Sequence, residues 1–450
     1  MAALALAIAL FGALFPPAAV AAPAPAVDAP DPPAGPAFGD SGWVAPIPAD
    51  SLAGDPTKPG PRVAPRDHEP LGETILRTPF RILFLPLRVV ALGLEEVAGL
   101  AEPYVAPSTM PREPKDWRIT PLFTISGSAG PGVGVGIRRS IDPQHDAAVS
   151  LAGGWSLHDT RRVRLRANWG NPHDVPGFAL GGDYAFRPNR KFYGIGNFSN
   201  ANDQSIFLEE SGALRLAILF GRRADRQFRL LGGVGTTSAR RGYNGSPGVL
   251  DVFPEDQVPF MLDATQIYSY GVGADLASVD DMRDPSVGVH ARAEVEEVRS
   301  FNDSEINFRR WHLEARAYVP VFSKRRVLAF RGLHQIVDPS GDPSTIPFYY
   351  LPESSDDGRF AAYKAHRFSD RHLLIGHAEY RWRIWDRLWA LAQAEIAEVA
   401  GASDQIRIAD VHESYGGGLR YAMTDRSMAR LSIASGAEGL VIFISLKEDF

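Results

Sequence analysis

The 450-residue chain contains no cysteine. That excludes a disulfide framework, a thiolate metal site and a cysteine nucleophile. It has no excess of positive charge: 47 Lys and Arg stand against 53 Asp and Glu, a net −6. This gives no general basis for nucleic-acid binding. Past the extreme N-terminus it has no uncharged apolar run of the ~18 residues that a membrane-spanning helix needs. A helical membrane protein is therefore excluded. A β-barrel is not, because alternating strands average to neutral hydropathy, and the mean hydropathy is −0.13. Catalytic signatures are also missing. There is no Gly-x-Ser-x-Gly, no His-Glu-x-x-His and no phosphate loop. Gly130–Gly136 is glycine-rich but falls at a hairpin, where glycine eases twist and close packing. No enzyme activity and no cofactor is expected.

Residues 2–15 form an uncharged apolar run, followed by the small-x-small pattern Ala19-Val20-Ala21. We read 1–21 as a signal peptide, although no Lys or Arg precedes the run. Residues 16–70 hold 15 of the 36 prolines. Such a stretch cannot bury enough apolar surface to offset its ordering entropy, so 22–79 reads as an extended linker. Over 80–104, Leu87, Val90, Ala91, Leu94, Val97, Ala98 and Ala101 recur at helical spacing. This predicts a short amphipathic helix, either packed against the following domain or lying on a membrane surface.

From residue 117 the period changes to two. Over 308–319, Trp311, Leu313, Ala315, Ala317 and Val319 share one parity, while Arg310, His312, Glu314 and Arg316 share the other. Over 287–297, valines and alanines oppose His290, Arg292, Glu294 and Glu296. Over 374–384, Leu374, Ala378, Tyr380, Trp382 and Ile384 oppose His377, Glu379, Arg381 and Arg383. A soluble sandwich also alternates, but its exposed face is only moderately polar. An apolar exterior around a charged, water-containing interior produces the pattern seen here.

Sixteen segments can be counted: 118–126, 131–139, 145–157, 161–171, 177–187, 207–220, 225–239, 264–278, 285–299, 307–319, 324–336, 372–385, 387–399, 413–424, 427–435 and 439–446. Connections after odd segments include the long ones, 188–206, 240–263, 337–371 and 400–412. Connections after even segments are short. Long on one side and short on the other is the outer-membrane barrel rule. The expectation is an all-β, 16-stranded antiparallel transmembrane β-barrel over 117–450, with a short N-terminal periplasmic helix. A soluble, secreted all-β domain is the alternative.

Several motifs then match one family. Leu351-Pro352, Tyr363, Arg367-Phe368, Asp370 and Glu379-Tyr380-Arg381-Trp382 follow one another in 350–385. Phe192-Tyr193-Gly194-Ile195-Gly196-Asn197 stands upstream, and the chain ends in Phe450. In order and spacing, 117–450 resembles the barrels of the BamA/TamA-type bacterial surface antigen superfamily, with its sixth outward loop at 350–371. The resemblance implies an outer-membrane location in a Gram-negative bacterium. It also implies a role in membrane biogenesis or translocation of protein or lipid, with outer-membrane lipid, lipopolysaccharide and periplasmic proteins as partners. We expect no nucleic-acid partner and a monomer. A passive or gated pore is the alternative function.

Two departures stand out. The family's sixth loop carries Arg-Gly-Tyr or Arg-Gly-Phe, its arginine held inside the barrel. Here Ala361-Ala362-Tyr363 occupies those positions, and Ser355-Asp356 replaces the upstream Gly-Gly. The facing wall shows Glu395 and Ala397 where the family has Asp and Gly, so a carboxylate persists without its customary arginine. Residues 22–116 also leave no room for a periplasmic POTRA module of roughly 75 residues.

The charged interior would hold His290, Arg292, Glu294, Arg310, His312, Glu314 and Arg316 beside Glu379 and Arg381. Ion pairs that hold the barrel and its sixth loop are one reading. A polar path for a solute or chain is the other. His290, His312 and His377 have no metal-ligand spacing. Asp356 and Asp357 could hold bridging cations or simply be solvated.

Overall fold

The computed structural model describes residues 117–447, apart from 127–129, 143–146, 171–175, 223–225, 243–245, 283, 303–305, 355–359 and 423–427. The expected leader, linker and helix, and Asp356 and Asp357, lie outside the described residues.

Sixteen strands follow in order: β1 (Trp117–Ser126), β2 (Gly130–Asp142), β3 (Ala147–Ser156), β4 (Arg161–Trp169), β5 (Gly177–Phe192), β6 (Ser205–Arg222), β7 (Arg226–Arg241), β8 (Ala264–Val279), β9 (Gly288–Ser300), β10 (Asn307–Val321), β11 (Ser323–Pro339), β12 (His372–Trp385), β13 (Leu388–Ala400), β14 (His412–Ala422), β15 (Met428–Gly436) and β16 (Gly439–Lys447). Each pairs antiparallel with the next, and all belong to one sheet. The sheet curls until β16 lies beside β1, but among the described residues no ladder joins those two strands.

Alternation fixes which side faces in. On β10, Glu314 is buried while Val319 on the opposite parity is exposed. Exposed Val289, Leu276, Leu230 and Ile433 continue the outer face around the sheet. A one-residue slip anywhere would exchange the two faces, so the apolar and charged parities set the register.

The wall is uneven. β6 has 18 residues and β11 has 17, whereas β15 and β16 have nine each. At ~3.3 Å per residue and a tilt near 40°, these heights are about 45 Å and about 23 Å.

Connections after odd strands meet at one end, called here the loop end. Those after even strands meet at the turn end. The loop-end segments 193–204 (L3), 242–263 (L4), 340–371 (L6) and 401–411 (L7) fold over the opening. Phe348, Tyr349 and Tyr350 of L6 are buried with Val249, Val258 and Met261 of L4 against Phe192, Phe207 and Ile267 on the strands. Phe348 meets Phe192 and Phe207 edge-on, each at 5.0 Å between ring centres. This cluster is the largest apolar core of the described residues, and it lies under the loops rather than between layers.

One expected position is corrected. Ile384 is fully buried, not on the exposed face. The β12–β13 ladder shifts register between Arg383 and Trp385, and this bulge breaks the strict alternation at Ile384.

Candidate functional site: the loop cap and the charged interior

L6 is held at several points; two of them use residues that the sequence pattern singles out, and the third, at Glu353, does not. The first is Glu395. On one cross-strand row, His377 of β12 faces Glu395 of β13, which faces Ser414 of β14. Glu395 Oε2 accepts the backbone N–H of Ala361 at 2.8 Å and the Ser414 hydroxyl at 2.9 Å. This loop–wall contact uses a main-chain donor and no arginine. Beside it, Phe360 and Tyr363 stack at 4.4 Å, nearly parallel. Tyr363 donates its hydroxyl to the Glu413 carbonyl at 3.3 Å. Gly436 allows this approach, because a Cβ there would stand 2.9 Å from the Tyr363 ring and 3.0 Å from Ala362.

Arg367 is the second anchor. Its side chain is only 5% exposed. Nη1 and Nη2 donate to the hydroxyl and carbonyl of Ser199 in L3, at 2.7 and 2.6 Å. Nε donates to Glu438 in the β15–β16 turn. The guanidinium also lies 4.5 Å from the Phe368 ring, which stacks on His412 at 4.0 Å. One residue thus joins L3, L6 and the last hairpin. Asp370 closes the loop more locally. Its N–H bonds the Pro352 carbonyl, its carboxylate accepts the N–H of Arg371, and burial raises its pKa.

Glu353 is the third anchor. It accepts Arg190 and His366, each at 2.6 Å. Burial alone would raise its pKa, but Arg190 and His366 outweigh it and bring the carboxyl down to about 2.

L3 reaches across the opening. Asn197 Nδ2 donates to the Asp410 carbonyl of L7 at 2.7 Å, and its Oδ1 accepts the Val399 N–H at 3.2 Å. Its backbone carbonyl is 2.9 Å from His412 Nε2. L3 leaves from β5 and returns to β6, so this clip spans to strands half the sheet away.

The expected polar residues line the inner face and pair with one another. Glu379 accepts Arg381 at 2.6 Å and Arg430 at 2.8 Å. Glu294 receives Arg292 at 2.9 Å and Arg229 at 3.2 Å. Glu314 is bonded by Arg316 and Arg331, with His312 at 3.8 Å. Arg310 pairs with Glu296, and His290 with Asp275 at 3.1 Å. The histidines are spread among these pairs. Among the described residues no group of three or more His, Asp or Glu side chains is arranged to hold a metal ion.

Sequence reasoning missed Arg229, Asp275, Arg331 and Arg430, although each obeys the inward parity of its strand. It also missed Asn197 as a clip, Ser199 and Asp284. These three lie in connections, where no periodicity marks them.

No family model matches the chain, and no curated protein does. Solved structures do. A crystal structure of BamA from Haemophilus ducreyi lacking POTRA domains 1–3 superposes with a TM-score of 0.54 at 13% identity, over 74% of this chain and 71% of that one. CdiB from Escherichia coli superposes with a TM-score of 0.50 at 11% identity, over 76% of this chain and 64% of that one. The likeness is one of backbone fold: the chain has the fold of the BamA/TamA-type barrels.

Proposed function

We propose that this chain is a sixteen-stranded barrel of a Gram-negative outer membrane that acts in membrane biogenesis or secretion, handling protein or lipid at the seam between β1 and β16. The observation that carries this reading is the seam itself. Every other neighbouring pair is laddered, and the strands beside the seam, with nine or ten residues each, are among the shortest of the sheet. A wall of about 23 Å barely matches the ~25 Å apolar band of such barrels, whereas the opposite wall exceeds it. A low, unladdered edge is where a second strand or a lipid meets the least resistance.

The exposed surface supports membrane insertion. Trp155 and Tyr415 stand near the loop end, Trp117 and Trp169 at the turn end, all more than half exposed. Aromatic side chains at both edges of an apolar band mark the two membrane interfaces. In this reading the loop end faces outward, lipopolysaccharide and lipid surround the barrel, periplasmic proteins meet its turn end, and the barrel acts as a monomer. Residues 1–21 would direct export.

A passive pore fits less well, because L3, L4 and L6 cover the opening and the interior charges are paired. Deletion of the gene separates the two. Loss of another outer-membrane protein or lipid component supports the biogenesis role. An unchanged membrane with reduced solute uptake replaces it with the pore. Purified in detergent, the folded chain should migrate faster on a gel unboiled than boiled, and absence of that shift would remove the barrel.

A further inference from the structure

The interior pairs above join strand to strand. One arrangement does not. Arg383 of β12 faces Trp389 of β13, which faces Arg420 of β14, which faces Arg430 of β15. This row, near the turn end, has three arginines, one indole and no carboxylate. Arg430 turns to Glu379 on another row. Arg383 and Arg420 instead converge on Asp284, in the 280–287 connection between β8 and β9. Arg383 Nη2 donates to Asp284 Oδ2 at 2.7 Å, and Arg420 Nη2 to Oδ1 at 2.8 Å. Both guanidiniums lie against Trp389, 5.0 and 4.9 Å from the ring centre.

The connection is built to present this carboxylate. Asp280 accepts the N–H groups of Ser286 and Val287 at 2.8 and 3.0 Å and the Lys324 ammonium at 3.0 Å. These bonds close the base of the connection and leave Asp284 on the arch. Each Asp284 oxygen then has its own arginine, and the indole fixes both guanidiniums. Charge-assisted bonds of this kind are strong and demanding in geometry. Two cations on one wall row are costly without an anion between them. The wall supplies the cations, and a connection at least three strands away supplies the anion.

We infer that the Arg383–Trp389–Arg420 row is a binding site for a polypeptide carboxylate at the turn end of the interior, occupied in cis by Asp284. The present occupant defines the class, since it is an aspartate carboxylate carried on main chain. Another chain's carboxylate can take its place by exchange, and the two arginines keep an anion throughout. The inference stands on the ion-pair geometry alone and is independent of the proposed role in biogenesis.

The test uses the full chain in detergent with Asp284→Ala. The probe is a synthetic peptide of residues 280–287, compared with the same peptide carrying D284N. The unsubstituted peptide should bind the Asp284→Ala chain at least about tenfold more tightly than the D284N peptide does, and about tenfold more tightly than it binds the unsubstituted chain. Adding Arg383→Gln to the Asp284→Ala chain should abolish the difference between the peptides. Equal binding of the two peptides, or equal binding to both chains, overturns the inference and leaves Asp284 a fixed structural counter-ion. The unboiled gel shift reports folding. If Asp284→Ala lacks it, Asp284→Asn takes its place. If neither chain folds, Asp284 is structural and the inference fails.

Discussion

Glu395 receives the main-chain N–H of Ala361 at 2.8 Å, deep in the interior, with the Ser414 hydroxyl on the same oxygen. L6 is thus anchored on a wall carboxylate through its own backbone. Glu395→Ala should leave two buried donors without an acceptor, at about 1–3 kcal/mol each. The cost falls on L6 docking, since the strand ladders do not use this side chain. Proteolysis within 340–371 should accelerate while the unboiled gel shift persists. Glu395→Gln keeps an amide oxygen as acceptor and should lose much less. Equal sensitivity of the two variants would show that charge, not acceptance, holds the loop.

Arg367 ties L3 and L6 to the turn that leads into the seam strand. Arg367→Ala removes three hydrogen bonds and leaves Glu438 partly buried without its arginine. A loss on the order of 2–4 kcal/mol is expected. Hydrogen exchange should rise in 193–204, 340–371 and 436–440 and stay unchanged in the β6–β7 ladder. Arg367→Lys should not restore protection, because one ammonium cannot span both Ser199 and Glu438. A uniform rise across the barrel would make Arg367 a general stabiliser instead.

Asn197 offers a near-isosteric test. Its amide donates to the Asp410 carbonyl and accepts from Val399. Asn197→Asp keeps the acceptor and turns the donor into an oxygen facing a carbonyl. It should release L3 from L7 as fully as Asn197→Ala does, at about 1–3 kcal/mol. Exchange of 193–204 and 399–412 reads this, and protection retained in the aspartate variant would sink the clip.

The difference between what was legible and what was not follows from the physics of each residue. Trp311, Glu314 and Val319 could be sorted by parity because a strand's two faces meet different solvents. The upper ends of β5 and β6 extend beyond the expected 187 and 207, because Arg187, Asn189, Arg190 and Lys191 hide the alternation behind a bulge. Ile384 was misplaced for the same reason. The partner of Glu395 had no side-chain signature at all, since every residue but proline carries a backbone N–H. Asn197 and Asp284 act across the sheet, at sequence distances where pattern carries nothing.

Acid provides a reversible probe of L6. Glu353 titrates at about 2 in the folded chain against an ordinary value of 4.5, because Arg190 and His366 face its carboxylate. A carboxyl whose folded pKa is depressed stabilises above its unfolded pKa and loses that stability as the pH falls. The contribution is therefore complete above about pH 4.5, declines between 4.5 and 2, and is absent below 2. The shift corresponds to on the order of 3 kcal/mol at neutral pH. Exchange in 340–371 should increase across that window and recover on neutralisation. Glu353→Gln should show the increased exchange already at pH 7, with a flattened response between pH 4.5 and 2. If the variant kept the full acid response, another carboxylate would govern the docking of L6.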